Sequence, residues 1–536
     1  MFDPLLGGDA IGDKKTKVTI YDTTLRDGSQ GEGMSLTVGD KLKIAQKLDY
    51  LGIPYIEGGW PGSNPKDLEF FRQVQHLDLK ARIAAFSSTR KPGSTVQSDN
   101  NITAILESGV SVATLVGKAW DFHVLRALET TLEENLNMVR ESIAFLKDHG
   151  LEVMFDAEHF FDGFKHNRDY AMQVLGSAAE AGVDWVVLCD TNGGSLPWEV
   201  AEIIQEVKKS ITIPLGIHVH NDMGCAVGNS LLAVRCGCQQ VQGTINGYGE
   251  RCGNADLCTI IPNLELKMDK KTLPSGNLKR LSEVSHYISE IGNMPHHNEQ
   301  PFVGYGAFAH KGGIHVSALL KDSLTYEHIN PEVVGNHRRV LMSELAGLSN
   351  LLYKARELNI DVNEYDAETR RVIKQIKELE NEGFQFEGAD ASLELFLRKA
   401  FGQFQDYFQL RNLKIIMEKS EDESITAEAM VKVEIGDQTF HTAAEGDGPV
   451  NALDNSLRKA LAEVYPSISE MHLSDYKVRV LNGNVGTAAK VRVLIESADQ
   501  SSTWSTVGVS ENIIEASWQA LVDSLNYMLM KRGENP

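Results

Sequence analysis

The sequence predicts an α/β chain: a (β/α)8 TIM barrel, then a helical linker region, then a C-terminal α+β domain. Two observations carry the barrel. Eight apolar, β-prone runs recur between residues 18 and 247 at intervals of roughly thirty residues, each followed by a helical pattern. Nearly every run also ends in polar or charged residues, which in a barrel converge on the face where active sites are built. A third observation, a change of texture near residue 405 to alternating strands with two amphipathic helices, marks the last domain.

The runs are VTIYDTTL (18–25), YIEGGW (55–60), ARIAAFS (81–87), SVATLVG (111–117), LEVMFDAE (151–158), WVVLCDT (185–191), PLGIHVH (214–220) and VQGTING (241–247). Between them, stretches such as VGDKLKIAQKLDYLG and LEENLNMVRESIAFLKDHG place apolar residues at i, i+3 and i+4 and end in Gly, as helices do. An open doubly wound sheet is the rival topology. Residues 1–265 therefore form the expected barrel, 266–404 a helical linker with small subdomains, and 405–536 the α+β domain, whose strands include LKIIMEK, AEAMVKVEIG, YKVRVLN, AAKVRVLIES and WSTVGVS. The Gly-rich turns of that last domain, EGDGPV and NGNVGTAA, hold no metal or nucleophile constellation, so a regulatory or oligomerising role fits it better than a second active site.

Composition narrows the function. With 42% hydrophobic and 24% charged residues and no apolar run of membrane-spanning length, the chain reads as a globular protein; its opening, MFDPLLGGDAIGDKKTK, has the pattern of neither a secretion signal nor a transit peptide, so a cytoplasmic location is expected. A formal net charge of −22 argues against a nucleic-acid surface and toward small-molecule chemistry. Six cysteines without a zinc-ribbon spacing are expected to be reduced, with Cys252 the one in polar, functional-looking company.

The richest motif is GIHVHND. His218 and His220, two apart on a strand, point the same way and can form half of a divalent-metal site. Asp27, after the first strand, and Asn254, in the loop after the eighth, can add oxygen ligands. Such a set suits Mn, Mg, Zn or Co, with room left for substrate oxygens.

DTTLRDGSQ (22–30), HVHND (218–222), GERCGNADL (249–257), FAHKGGIHVSALL (308–320) and YEHINPEVVGN (326–336) resemble signatures of the acyl-CoA condensing enzymes that include the 2-isopropylmalate, homocitrate and citramalate synthases. GDGPVNALDNSLRKAL (446–461) is similar to the dimeric regulatory domain of that family, so the resemblance spans nearly the whole chain. IEGGWPGSNPKD (56–67) departs from the EAGFP-type run and looks like that of the pyruvate-using branch.

The resemblance implies a Claisen condensation of acetyl-CoA with a 2-oxo acid, then thioester hydrolysis. Pyruvate is the expected acceptor, giving (R)-citramalate on a route to isoleucine; 2-oxoisovalerate is the alternative. It implies Arg26 as a stabiliser of oxygen charge, Thr191 and Asp156 in substrate binding, His315 as the base, and Glu158 and Tyr326 assisting proton movement. His310 competes with His315 for the base, and Glu158 could instead brace Arg26. Phe86, Leu115, Phe155 and Asp156 are candidates for the acceptor wall. A homodimer or higher homo-oligomer is implied, with isoleucine as feedback ligand, or leucine under the alternative. Family members place the helical subdomain's residues over the partner's barrel, which implies that His315 and Tyr326 act across a dimer and that mixing inactive Arg26→Ala and His315→Ala proteins restores partial activity through hybrid dimers; no recovery after verified subunit exchange would count against it. A lyase using the same motifs and a non-catalytic amino-acid sensor are the remaining readings.

Overall fold

The computed structural model describes residues 16–362, 366–419, 425–481 and 489–535. The turn NGNVGTAA, except for Ala489, and the opening stretch, except for Thr16 and Lys17, lie outside them. Two compact units result: residues up to Phe308 with Asn330–His337, and Ala309–Ile329 with the residues from Arg338 on.

In the first unit eight parallel strands close into a barrel: β1 (Thr19–Asp22), β2 (Tyr55–Gly59), β3 (Arg82–Ser88), β4 (Val112–Lys118), β5 (Glu152–Glu158), β6 (Trp185–Asp190), β7 (Leu215–Val219) and β8 (Gln240–Gly243). The ring closes where β8 pairs with β1, Tyr21 lying opposite Gln242. The open-sheet alternative is thereby excluded. Fully buried Tyr21, Ala84, Val112 and Met154 pack together in the barrel, and the Tyr21 hydroxyl crosses the interior to Thr114 Oγ1 at 2.6 Å.

Alternation along the strands decides which side chains reach the interior. In β4 and β5, Thr114 pairs with Met154, Val116 with Asp156 and Lys118 with Glu158, whereas Leu115 pairs with Phe155 on the opposite face. Leu115 and Phe155 are fully buried on that outer side, so neither belongs to an acceptor wall.

Helix α1 (Val38–Leu51) starts at a capping box in which Thr37 Oγ1 accepts from the Asp40 N–H and the Asp40 carboxylate accepts from the Thr37 N–H. Helix α2 (Pro65–Val74) follows β2; its Asn64 cap accepts from the Asp67 N–H at 2.8 Å, and Pro65 occupies a first-turn position where its missing donor does no harm.

The second unit contains two antiparallel three-stranded sheets, Gln409–Lys419, Ile425–Ile435 and Gln438–Gly446 in one, His472–Val480, Val491–Ala498 and Thr503–Ser510 in the other. Each is followed by a helix, Pro449–Leu461 and Ile513–Arg532. Val431, Val433, Leu453, Leu457, Leu521 and Leu525 share one core with both sheets. The strand Gln438–Gly446 has no counterpart among the predicted strands: QTFHTAAEG, on the rim of its sheet, buries too little apolar surface to show a period of two. Before these sheets come helices Leu348–Glu357, Ala367–Glu382 and Asp390–Ala400, which form a second core around Leu351, Ile376 and Leu393. No helix among the described residues is long and apolar enough to cross a membrane. All six cysteines are unpaired, with Cys252 exposed.

Candidate active site

The C-terminal ends of the barrel strands surround a cavity of about 410 Å³ whose lining includes Arg26, Asp27, Asp156, Glu158, Thr191, His218 and His220. Seven of the sequence-predicted site residues are thus gathered in one place. His218 and His220 are both buried, and each turns Nε2 toward Asp27 Oδ2, at 3.3 and 3.7 Å. One ligand atom from each of the three lies within 4.8 Å of the others.

Backbone geometry brings Asn254 next to His220. The loop after β8 folds back onto the end of β7: the Ala255 N–H donates to Val219 O at 3.0 Å, the Asn221 N–H donates to Gly253 O at 2.9 Å, and Asn254 bridges to His220. Only glycine permits this fold-back. At Gly253 (φ +87°) a Cβ would stand 2.0 Å from Gly247 O, and at Gly249 (φ +155°) 2.2 Å from the Asn254 amide nitrogen. The Asn254 amide donates to Tyr248 O at 3.2 Å, while its Oδ1 is buried with no hydrogen-bond partner among the described residues. A buried acceptor left unsatisfied on a residue whose backbone bridges to His220 fits a divalent cation, for which Asp27, His218, His220 and Asn254 would offer two N and two O ligands.

The supporting contacts prepare that set. His218 Nδ1 lies 3.0 Å from Gln242 Oε1, and the Gln242 amide nitrogen donates to Asp156 Oδ1 at 3.0 Å. With its nitrogen committed, Gln242 offers only an acceptor to His218, so Nδ1 carries the ring hydrogen and Nε2 presents its lone pair. Gln242 did not stand out in VQGTING; a polar residue one strand position from the barrel mouth was the available signal. Replacing it with Leu should weaken divalent-metal binding by about 10–100-fold, read by calorimetric titration with Mn²⁺; unchanged affinity would show that the amide does not orient the ring.

Burial would raise the Asp27 carboxyl, but Arg26, with His218 and His220, holds it well below the usual range. Burial pushes Asp156 up to about 7, Glu57 adding to the effect. Burial also lowers His220 to about 4, with His218 contributing.

Arg26 is braced by Glu57, not Glu158. Its Nε donates to Glu57 Oε1 at 2.6 Å, and the same fully buried carboxylate accepts from the Thr23 hydroxyl at 2.6 Å and the Tyr21 hydroxyl at 2.6 Å. The guanidinium lies over the Phe86 ring, 3.8 Å from its centroid. Glu158 pairs instead with Lys118. The Thr191 hydroxyl accepts from the His159 N–H at 2.9 Å, which leaves its own hydrogen to donate elsewhere.

His315 and Tyr326 belong to the second unit. Both are exposed, and their rings stack with centroids 4.3 Å apart. His310 differs: its Nε2 is 3.2 Å from the buried carboxylate of Glu327, which also binds Arg338 at 2.6 Å.

A metal-type cluster at the mouth of a closed barrel, ahead of a sheet-and-helix domain, agrees with the family comparisons. The HMGL-like family model matches residues 17–288, a homocitrate synthase post-HMGL domain-like model 302–383, and the LeuA allosteric (dimerisation) domain model 387–529. These define a barrel-type acyl-CoA condensing enzyme with an appended LeuA domain. The (R)-citramalate synthase of Aquifex aeolicus is 54% identical over 521 residues, covering 97% of this chain and 99% of that protein. That of Geobacter sulfurreducens is 54% identical over 519 residues, 96% of this chain and 98% of that protein. The 2-isopropylmalate synthase of Methanocaldococcus jannaschii is 33% identical over 525 residues, 96% of this chain and 95% of that protein. The chain belongs to the (R)-citramalate synthase family.

Proposed function

We propose that this protein condenses acetyl-CoA with pyruvate and water to give (R)-citramalate and CoA. The observation that carries the reading is the full-length 54% identity to (R)-citramalate synthases, against 33% to a 2-isopropylmalate synthase. The cavity beside Arg26, Asp27, His218 and His220 supports it, since a small 2-oxo acid needs cationic and hydrogen-bonding groups converging on its two polar ends.

Asp27, His218, His220 and Asn254 are the residues that would hold a divalent metal, which supplies Lewis acidity at the ketone when bound. Arg26, cationic at every working pH, faces the oxygen that gains charge as the new carbon–carbon bond forms. The Thr191 hydroxyl donates to the acceptor's carboxylate, and Asp156 holds the Gln242 amide in register with His218 while bordering the acceptor. His315 takes the α-proton of acetyl-CoA. Its exposure and its stacking on Tyr326 favour it over His310, whose ring is tied to Glu327. Glu158 and Tyr326 move protons as water cleaves the thioester. The LeuA allosteric (dimerisation) domain match supports a regulated homodimer, and isoleucine, the end product of a citramalate route, is the feedback ligand this reading assigns.

Thiol release from acetyl-CoA by the Mn²⁺- or Mg²⁺-loaded protein, run with pyruvate, 2-oxoisovalerate and 2-oxoglutarate in parallel, tests this. Pyruvate should give by far the highest rate, and isoleucine should inhibit it. Preference for 2-oxoisovalerate would replace the reading with leucine-route synthesis.

A further inference from the structure

Trp60, the residue after β2, has no part in the roles above, yet it lines the same cavity. Its indole meets Phe86 edge-on, ring centroids 5.5 Å apart, and Phe86 in turn lies beneath Arg26. Trp60, Phe86 and Arg26 therefore form one continuous column on the cavity wall. Any group held beside Arg26 has this column as a neighbour.

The backbone that carries Trp60 is clamped. Its N–H donates to Asp67 Oδ2 at 2.9 Å, and the other Asp67 oxygen pairs with Lys41 Nζ at 2.5 Å. Lys41 Nζ also donates to Gly58 O at 3.1 Å. Lys41 is 2% exposed and Asp67 5%, so the pair sits inside the protein, between α1, α2 and the end of β2. The two glycines make the close approach possible: at Gly59 (φ +145°) a Cβ would lie 2.5 Å from the Asp67 carboxylate, and at Gly58 2.4 Å from the Phe70 ring. A bulky aromatic on a loosely held loop yields to a larger substrate, whereas one whose backbone is tied at Trp60 N–H and Gly58 O does not. Rigid walls reject added volume because overpacking forces atoms out of their minima.

We infer that Trp60 is the specificity-determining residue for the acceptor, its indole limiting the oxo-acid side chain to about the size of a methyl group, with Lys41 and Asp67 as the positioning residues that keep it rigid. The inference rests on the condensing activity proposed above and deepens it. An accommodating apolar pocket separates acceptors that differ by one methylene by about 10–200-fold, and much of that ratio is assigned here to one ring.

The test measures kcat/KM with pyruvate, 2-oxobutyrate and 2-oxoisovalerate for wild type, Trp60→Ala, Trp60→Phe and Asp67→Asn. The readout is the ratio of acceptors within each preparation, which a partly unfolded sample leaves unchanged. Trp60→Ala should shrink the pyruvate to 2-oxobutyrate ratio at least tenfold, chiefly through a lower KM for the larger acid, and Trp60→Phe should fall between it and wild type. Asp67→Asn keeps an acceptor for the Trp60 N–H but loses the charge that holds Lys41, and should shift the ratio in the same direction by less. A pyruvate-selective wild type whose ratio survives Trp60→Ala and Trp60→Phe would overturn the inference alone. A wild type that prefers 2-oxoisovalerate would overturn the underlying reading, and the inference with it.

Discussion

Arg26→Lys should lower kcat for CoA release from acetyl-CoA and pyruvate by about 10²–10³-fold, the range seen when a donor to a developing oxyanion is removed. The substitution keeps the charge and loses the geometry. In the native arrangement the planar guanidinium does three things at once: Nε is spent on Glu57, the face lies on Phe86, and Nη1 stands 3.7 Å from Asp27 Oδ2 on the cavity wall. An ammonium that satisfies the buried Glu57 carboxylate has no second fork to offer and no plane to stack. Steady-state kinetics, with far-UV circular dichroism melting to confirm the fold, checks it. A drop of less than tenfold would remove Arg26 from the chemistry and leave it a brace for β2.

Lys41→Met should destabilise the barrel by about 3–5 kcal/mol, because it strands the Asp67 carboxylate in the interior without its cation. Burial draws the Lys41 ammonium below its ordinary pKa even against the pull of Asp67, so this pair is costly to bury and is held by geometry. Lys41→Met combined with Asp67→Leu should recover part of the loss, since an apolar pair of similar volume carries no desolvation penalty while the Trp60 N–H and Gly58 O still lack their partners. Urea unfolding followed by circular dichroism measures both. Equal destabilisation by the single and double variants would mean that packing, not the orphaned charge, sets the cost.

The barrel could be read from the chain because strands buried on both faces are written as nearly unbroken apolar runs: YIEGGW (55–60) is observed as Tyr55–Gly59 and LEVMFDAE (151–158) as Glu152–Glu158. The converging strand ends were readable for the same reason, since Asp27, His218 and His220 each follow or end such a run. Cross-barrel partnerships were not. That Glu57 and not Glu158 braces Arg26 depends on how β1 meets β2, and that Gln242 links His218 to Asp156 depends on how β7 meets β8 and the ring closes, and nothing local to any one strand encodes it. One miss was avoidable. Once Asp156 faces inward, a period of two turns Phe155 outward, so the two could never have shared a wall.

The Asp22 carboxylate accepts from the Thr24 N–H and hydroxyl, and Thr24 Oγ1 accepts from the Ile245 N–H, a seam between the first and last strands of the ring. Asp27 and Asn254 stand on either side of that seam, separated by almost the whole barrel sequence. The Thr24–Ile245 pairing joins residues 221 apart in sequence, and long-range contacts carry the loop-closure entropy that slows folding. A half-built barrel, however helical, therefore has no complete ligand set. During refolding, Mn²⁺ binding should recover only as the ring closes, later than the helix-dominated circular dichroism signal.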